Sequence, residues 1–124
     1  MALLADGEAA ALAGGQSLMP MMNFRLARPE VLVDLNRIDG LAGISEDDDT
    51  LRIGAMTRYA DLAGSDLITA HAPLIARALP HIAHPAIRNR GTIGGSVALA
   101  DPAAEMPALL MAMDARIALR SAES

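Results

Sequence analysis

Short apolar segments separated by glycine, proline and acidic residues run along the chain, and their spacing predicts a mixture of strands and helices. Ala2–Leu4 is typical of the tail of a helix, and Ala9–Ala13 of a strand of small residues. VLVDL at Val31–Leu35 is a largely apolar run, as in strands that are buried on both faces. We expect these elements to form a first lobe over residues 1–40.

Residues 41–124 are predicted to form a second lobe. The acidic run Glu46–Asp49 is typical of a solvated turn, because a calcium-binding loop would need glycine where Arg52 stands. Pro80 must end or kink the helix before it, since proline lacks an N–H group. The predicted elements are a strand at Leu51–Met56, a helix over Arg58–Leu62 capped by Thr57, a helix at Pro73–Leu79, a strand at Val97–Ala100, a turn at Pro102–Glu105, a helix at Pro107–Met113 and a strand at Arg116–Leu119.

Composition narrows the possible functions. The chain has 124 residues, 52% of them hydrophobic, which suits one small domain or two lobes that share a core. Its formal net charge is −5, and its ten basic residues form no cationic stripe for nucleic acid or a membrane surface. The absence of cysteine excludes a disulfide and a thiolate-bound iron–sulfur or zinc centre in this chain, so any such redox centre must belong to a partner.

The opening residues carry no recognisable targeting signal. MALLADGEAAALAGG lacks a basic first region and is interrupted by Asp6, Gly7 and Glu8. No apolar run approaches the roughly 20 residues that a membrane-spanning helix needs. A cytoplasmic location is therefore predicted.

Two glycine pairs are the strongest candidates for a binding site. The first glycine loop, Ala13–Ser17 (AGGQS), follows a predicted strand, and paired glycines allow successive N–H groups to converge on one anion. Gln16 and Ser17 add side-chain donors, and no Gly-Lys-Ser/Thr sequence follows, which excludes an ATP-type phosphate loop. A lone glycine pair is more typical of a tight turn that binds nothing.

The second glycine loop, Gly91–Ser96 (GTIGGS), repeats this chemistry, with hydroxyl groups at Thr92 and Ser96 and an Ile93 side chain that can pack on an apolar ring. Two such loops can enclose the diphosphate of one large ligand. The absence of a Gly-x-Gly-x-x-Gly sequence argues against a Rossmann dinucleotide site. We therefore predict a large ligand whose pyrophosphate lies between the two loops, with its sugar and ring systems to either side.

Other polar residues have competing interpretations. Arg88 and Arg90 are either exposed, paired with a partner protein, or positioned to orient the second glycine loop. Glu105 either accepts a hydrogen bond from a sugar hydroxyl or complements the dipole of its helix. His81 and His84 share the spacing of one helical face, but no third ligand completes a metal site. We predict no metal site and no catalytic residue of the chain's own, so that any chemistry belongs to the cofactor.

Three stretches carry a resemblance to a known family: AGGQSLMPMMNFRLARPEVLVDLNRI, LRIGAMTRYADL and HPAIRNRGTIGGSVALADPAAEMPALLMAMDARIAL. In this order they resemble the FAD-binding medium subunit of molybdenum hydroxylases of the carbon monoxide, nicotine and xanthine dehydrogenase type. The resemblance covers essentially the whole chain. It implies an α+β fold, namely part of the two-lobed FAD-binding fold of the vanillyl-alcohol oxidase type, with FAD between the lobes.

The resemblance also implies a function and partners. The chain would be the flavoprotein component of an oxidoreductase, inactive alone, and would pass electrons from [2Fe–2S] clusters of a small subunit to an external acceptor. A large subunit would carry the molybdenum cofactor. The FAD-binding positions transferred by the resemblance are Ala13, Gly14, Gly15, Gln16, Ser17, Leu18, Thr92, Ile93, Gly94, Gly95, Ser96 and Glu105.

Departures from the family pattern leave alternatives open. Ser96 stands where many relatives have asparagine, Glu105 where many have aspartate, and Pro80 interrupts a helix that is usually continuous. Relatives also extend further at both ends, so a shortened chain is expected. The alternatives are an FAD-dependent reductase of the UDP-N-acetylenolpyruvylglucosamine reductase type and a non-catalytic remnant of the flavin module.

Overall fold

The computed structural model describes Leu4 and residues 7–121. The helical tail predicted at Ala2–Leu4 lies outside these residues, apart from Leu4. The elements in chain order are β1 (Ala9–Leu12), α1 (Leu18–Asn23), β2 (Val31–Asp34), β3 (Ile44–Asp47), β4 (Thr50–Ile53), α2 (Tyr59–Ala63), α3 (Asp66–His71), α4 (Pro73–Ala78), a 3-10 turn (Leu79–His81), α5 (Pro85–Arg88), α6 (Ile93–Leu99) and α7 (Glu105–Ala112).

The strands form two separate pairs. β1 lies parallel to β2 with Ala9 opposite Val31, and β3 lies antiparallel to β4. The strands predicted near residues 9–13 and 31–35 are confirmed. The turn predicted at Glu46–Asp49 is only partly correct, because Glu46 and Asp47 belong to β3 and the turn before β4 consists of Asp48 and Asp49. The predicted burial of β2 is wrong for the described part of the chain, since Val31 and Leu32 are 42% and 38% exposed there. Nothing in that part covers this surface of the two-stranded sheet.

The hydrophobic core lies among the helices. The largest fully buried apolar side chains come from α2, α3, α4, the 3-10 turn and α7: Leu62, Ile68, Ile75, Leu79 and Met106. The helix predicted at Pro73–Leu79 is confirmed as α4, and the chain continues into the short 3-10 turn that contains Pro80, as its missing N–H group requires. Strands and helices together confirm the α+β class.

The predicted cap at Thr57 is wrong. Helix α2 begins after Arg58, whose backbone is extended. Thr57 is 2% exposed, and its hydroxyl group is 3.0 Å from both the backbone N and the backbone O of Gly43. Thr57 therefore ties the end of the β3–β4 hairpin to the segment before β3, and its hydroxyl group is no longer available to a helix.

The strand predicted at Val97–Ala100 is also wrong, because α6 occupies residues 93–99. Thr92 Oγ1 accepts a hydrogen bond from the Gly95 N–H at 3.2 Å and caps the helix. Ala100 ends it in the left-handed conformation, with φ of 52°. The capped first turn overrides the low helix propensity of the glycine pair.

The C-terminal predictions are partly correct. The turn after Asp101 is confirmed by a hydrogen bond of 2.8 Å from the Ala103 N–H to the Asp101 carboxylate, and the following helix begins at Glu105 rather than Pro107. The strand predicted at Arg116–Leu119 is wrong, since no described strand lies beside it to complete a ladder. Among the described helices, none has the length and apolar character needed to cross a membrane.

Candidate functional site

The two glycine loops meet in the folded chain. A Cβ atom on Gly14 would fall on the carbonyl group of Arg90, 2.8 Å from its carbon and 2.9 Å from the Cα of Gly91. A Cβ atom on Gly95 would lie 3.5 Å from the Cβ of Ala13. Glycine at these positions therefore allows two segments that are distant in sequence to approach at backbone distance.

A cavity of about 640 Å³ opens where the loops meet. Its volume lies within the range of small-molecule and cofactor sites. All of the predicted FAD-binding residues except Ile93 line it: Ala13, Gly14, Gly15, Gln16, Ser17, Leu18, Thr92, Gly94, Gly95, Ser96 and Glu105. The structure thus brings together segments that are far apart in the sequence.

The first glycine loop lines this cavity and carries unpaired donors. Among the described residues, the backbone N–H groups from Gly14 through Ser17 donate to no protein acceptor. Gly15 has φ of 72°, as a loop that turns its successive N–H groups inward requires. The Gln16 amide donates to the carbonyl of Gly14 at 3.0 Å, so this side chain also braces the loop itself.

The second glycine loop has a different role, because its N–H groups from Ile93 through Ser96 are already paired. The N–H of Ile93 donates to the carbonyl of Thr57 at 3.0 Å, and that of Gly94 to the carbonyl of Ala55 at 2.8 Å. The N–H groups of Gly95 and Ser96 donate to the hydroxyl and the carbonyl of Thr92. The loop therefore adds backbone atoms of α6 to the cavity wall rather than a second set of free amides.

Ile93 lies apart from the other predicted residues. Its side chain is 6% exposed and belongs to the hydrophobic core. The structure therefore places it behind the cavity wall, where it anchors the first turn of α6. Contact between Ile93 and a flavin stays a prediction.

The apolar wall of the cavity went unnoticed in the sequence. Its members come from several separate segments: Met21, Leu35, Leu41, Met56, Tyr59, Ile82, Ile87 and Leu99. No local pattern marks these positions, since each looks like an ordinary core residue. Together they give the cavity that also contains the first glycine loop a hydrophobic lining, as expected for a ligand with both an anionic and an aromatic part.

Tyr59 is the polar residue in this wall. Its side chain is nearly buried, and burial raises the pKa of its phenol above the usual value of 10.0. A hydrogen bond with Ser96 opposes this rise in pKa, and the negative charge of Glu105 adds to it. Tyr59, Ser96 and Glu105 therefore form one polar corner, in which Tyr59 stays protonated at neutral pH.

Titration of the phenol tests this corner directly, since Tyr59 is the single tyrosine of the chain and there is no tryptophan. We expect phenolate absorbance to develop at a higher pH in the folded chain than in urea. Because the folded state holds the phenol proton more tightly than the unfolded state does, the protonated phenol stabilises the fold. This stabilisation is complete below about pH 10 and is lost as pH rises through the folded-state pKa. Identical titration midpoints with and without urea would show that the phenol is solvated.

One arginine and two histidines lie on the outer side of the site. Arg88 Nη1 donates to the carbonyls of Ile82 and Ala83 at 3.1 and 3.0 Å, so Arg88 supports the cavity wall rather than extending into solvent. Ala83 lines the cavity with φ of 52°, and the bond from Arg88 helps to hold that strained bend. His81 and His84 are exposed and do not line the cavity.

Comparison with protein families gives a match over residues 1–124 to a model described as the FAD binding domain in molybdopterin dehydrogenase. Among curated proteins, the 6-hydroxypseudooxynicotine dehydrogenase complex subunit alpha of Paenarthrobacter nicotinovorans is 54% identical over 96% of this chain and 41% of the relative. The carbon monoxide dehydrogenase medium chain of Hydrogenophaga pseudoflava is 50% identical over 90% of this chain and 39% of the relative.

Solved structures agree with these matches. The carbon monoxide dehydrogenase of Hydrogenophaga pseudoflava superposes with a TM-score of 0.85 and 52% identity, over 87% of this chain and 38% of that chain. Quinoline 2-oxidoreductase of Pseudomonas putida 86 gives a TM-score of 0.84 and 43% identity, over 88% and 38%. The chain spans about two fifths of the length of the curated relatives it matches.

Proposed function

Because the chain belongs to the family of FAD-binding domains in molybdopterin dehydrogenases, we propose that its two glycine loops hold FAD for electron transfer in a molybdenum hydroxylase. The observation that carries this proposal is the combination of four free backbone N–H groups, from Gly14 through Ser17, with an apolar wall across the same cavity. FAD has a matching division between a charged diphosphate and a flat aromatic ring system.

The two glycine loops contribute to binding in different ways. The amides of the first glycine loop bind the diphosphate, since aligned N–H groups form a concavity for an anion. Gly94 and Gly95 contribute backbone atoms to the cavity wall, and the space that a side chain would need at each is taken by Ala55 and Thr92. Tyr59, Ser96 and Glu105 provide hydroxyl and carboxylate groups for the sugar alcohols. When bound, FAD supplies the redox chemistry, and the chain binds and orients it.

The finer features of the fold also belong to this proposal. We assign the chain to the vanillyl-alcohol oxidase type of flavin fold, with lobes over residues 1–40 and 41–124. Two observations are consistent with a division into these lobes. The strands β1 and β2 form a sheet of their own, and the buried core residues lie between Met56 and Met106. FAD would then lie between the lobes. The cytoplasmic location stays a prediction from the sequence.

The partners follow from the same assignment. We propose a large subunit that carries the molybdenum cofactor and a small subunit that carries [2Fe–2S] clusters, from which this chain's flavin accepts electrons. The matched relatives are named as dehydrogenase subunits or medium chains, which favours this function over the UDP-N-acetylenolpyruvylglucosamine reductase alternative. A non-catalytic remnant is the remaining alternative, and flavin binding distinguishes it.

The test is a titration of the purified chain with FAD, followed by the visible absorption spectrum and by quenching of flavin fluorescence. We expect saturable binding at one site per chain. AMP and riboflavin serve as comparison ligands, and both should bind more weakly than FAD because neither spans the diphosphate and the ring system together. Absence of saturable FAD binding would contradict the proposed function.

Glu105→Gln tests the polar corner. This substitution keeps the shape of the side chain and should reduce FAD affinity by about 1 kcal/mol, because a carboxylate is a stronger acceptor from a hydroxyl group than an amide is. Asp66→Asn is the matched control, since Asp66 is likewise an acidic first residue of a helix but does not line the cavity. If both variants lower the melting temperature and neither changes FAD affinity, Glu105 only complements its helix dipole.

A further inference from the structure

A chain of side-chain hydrogen bonds connects the two glycine loops outside the cavity. Arg58 Nη1 donates to the carbonyl of Asn89 at 2.9 Å, just ahead of the second glycine loop. Arg58 Nη2 donates to Oδ1 of Asn36 at 3.2 Å. The planar guanidinium group thus reaches one acceptor near each loop, a geometry for which arginine is well suited.

Asn36 completes the connection to the first glycine loop. Its Nδ2 donates to the carbonyl of Ala13 at 3.0 Å and to the carboxylate of Asp34 at 2.6 Å. The backbone N–H of Asn36 also donates to Asp34, at 2.9 Å. These bonds from Asn36 hold the pKa of Asp34 below its usual value, so the carboxylate stays charged and fixes the amide.

The backbone of Arg58 is fixed on the other side. Arg58 forms an isolated antiparallel bridge with Thr92, and the Tyr59 N–H donates to the carbonyl of Gly91 at 3.0 Å. Arg58 therefore moves with the second glycine loop, while Asn36 moves with the first. Within the described residues, the bond between these two side chains is the one hydrogen bond of this network that crosses from one loop to the other. It adds to the direct backbone approach of the loops at Gly14 and Gly95.

We propose that Arg58 and Asn36 are positioning residues that hold the two glycine loops at the separation FAD requires. This inference rests on the proposed function. Neither residue lines the cavity, so both act through the loops rather than on the ligand. Because each bond is exposed, its net contribution is modest, and the effect arises from fixing two loops that must bind one ligand together.

The first test compares FAD dissociation constants of Arg58→Met, Asn36→Leu and the double variant. Each single change should raise the dissociation constant by about three- to tenfold, the range expected for losing one hydrogen-bonded link. The double variant should be little worse than either single variant, because both interrupt the same connection. Additive effects would overturn the proposal. Arg52→Met is the control, since Arg52 is 67% exposed and pairs with Asp47 away from the cavity.

The variant Arg58→Lys distinguishes a bridge between the two loops from simple attraction of the anionic cofactor by the charge of Arg58. Lysine keeps the positive charge, but its compact ammonium group does not reproduce the two-pronged geometry of the guanidinium group. The proposal expects Arg58→Lys to bind FAD as weakly as Arg58→Met. Full recovery of FAD affinity by lysine would show that the charge of Arg58 attracts the anionic cofactor and would overturn the bridging role.

A measurement without flavin distinguishes this proposal from the proposed function. Hydrogen exchange of the flavin-free chain should become faster at the amides of Met19 and Met21, which donate to the carbonyls of Gly15 and Ser17 in the first loop, and also in residues 88–92 when either partner is replaced. Exchange in both segments should be unchanged in Arg52→Met. Unchanged exchange in both segments would overturn the connection between the loops. If the parent chain binds no FAD but shows this coupled exchange, the proposed function fails while the connection between the loops stands.

Discussion

Gly14→Ala is expected to weaken FAD binding by about 2–3 kcal/mol, roughly 30- to 150-fold. The added Cβ would fall on the carbonyl group of Arg90 and lie 2.9 Å from the Cα of Gly91. Both neighbours are backbone atoms, so no side-chain rotation relieves the overlap. The first glycine loop must then move away from the second, which separates its free amides from the surface of Gly94 and Gly95.

Two alanine substitutions provide controls for this effect. At Gly64 a Cβ would have one neighbour, the carbonyl oxygen of Ala60 at 3.7 Å, so Gly64→Ala should leave FAD affinity unchanged. Gly40 has φ of 78° and open space around it, so Gly40→Ala measures backbone strain alone. Equal FAD affinity in Gly14→Ala and the parent chain would show that close contact between the loops is not needed for binding.

The sequence predicted those parts of the fold that depend on local chemistry. β1, β2, the first glycine loop and α4 lie within a residue or two of their predicted positions, because strand-forming runs, paired glycines and Pro73 act over short distances. The short helix α3 was missed, although Ser65 caps it through a 3.4 Å hydrogen bond from the Ile68 N–H. Ser65 is a recognisable cap signal, but the apolar pattern of residues 66–71 does not mark a helix by itself.

The errors arise where distant segments decide the local structure. Residues 93–96 look like a flexible loop in sequence, but the carbonyls of Ala55 and Thr57 accept the first N–H groups of α6 and fix the segment as a helix. Those acceptors lie more than thirty residues earlier in the chain. Free amides were therefore predicted at both loops, but the N–H groups from Ile93 through Ser96 in the second loop are paired within the protein.

In the candidate site, too, short motifs were predictable from the sequence, whereas contacts between distant segments were not. The glycine loops and Glu105 were identified from short motifs and from the resemblance to a family, and the matching family model confirms the family and its cofactor. The apolar wall, the polar corner at Tyr59 and the Arg58–Asn36 bond were not found. Each depends on pairs of residues that only the folded chain brings together, such as Arg58 with Asn36 across 22 positions.

Gly94→Ala should have the largest effect on stability, lowering the free energy of unfolding by about 2–4 kcal/mol. Its Cβ would lie 2.5 Å from the Cβ of Ala55 and 2.6 Å from the carbonyl oxygen of Ala55. That oxygen also accepts the Gly94 N–H at 2.8 Å, so relieving the overlap breaks a bond that holds the first turn of α6. Urea unfolding monitored by circular dichroism measures the loss.

Gly95→Ala is the matched comparison for this substitution. Its Cβ would lie 2.8 Å from Oγ1 of Thr92, a side-chain atom that can rotate, and 3.5 Å from the Cβ of Ala13. The expected loss is about 1 kcal/mol, the value of one helix cap, and therefore smaller than at Gly94. Adding Ala55→Gly to Gly94→Ala should restore only part of the stability, because the overlap with the Ala55 backbone remains. Complete recovery in that double variant would show that the methyl group of Ala55, and not its carbonyl, excludes a side chain at position 94.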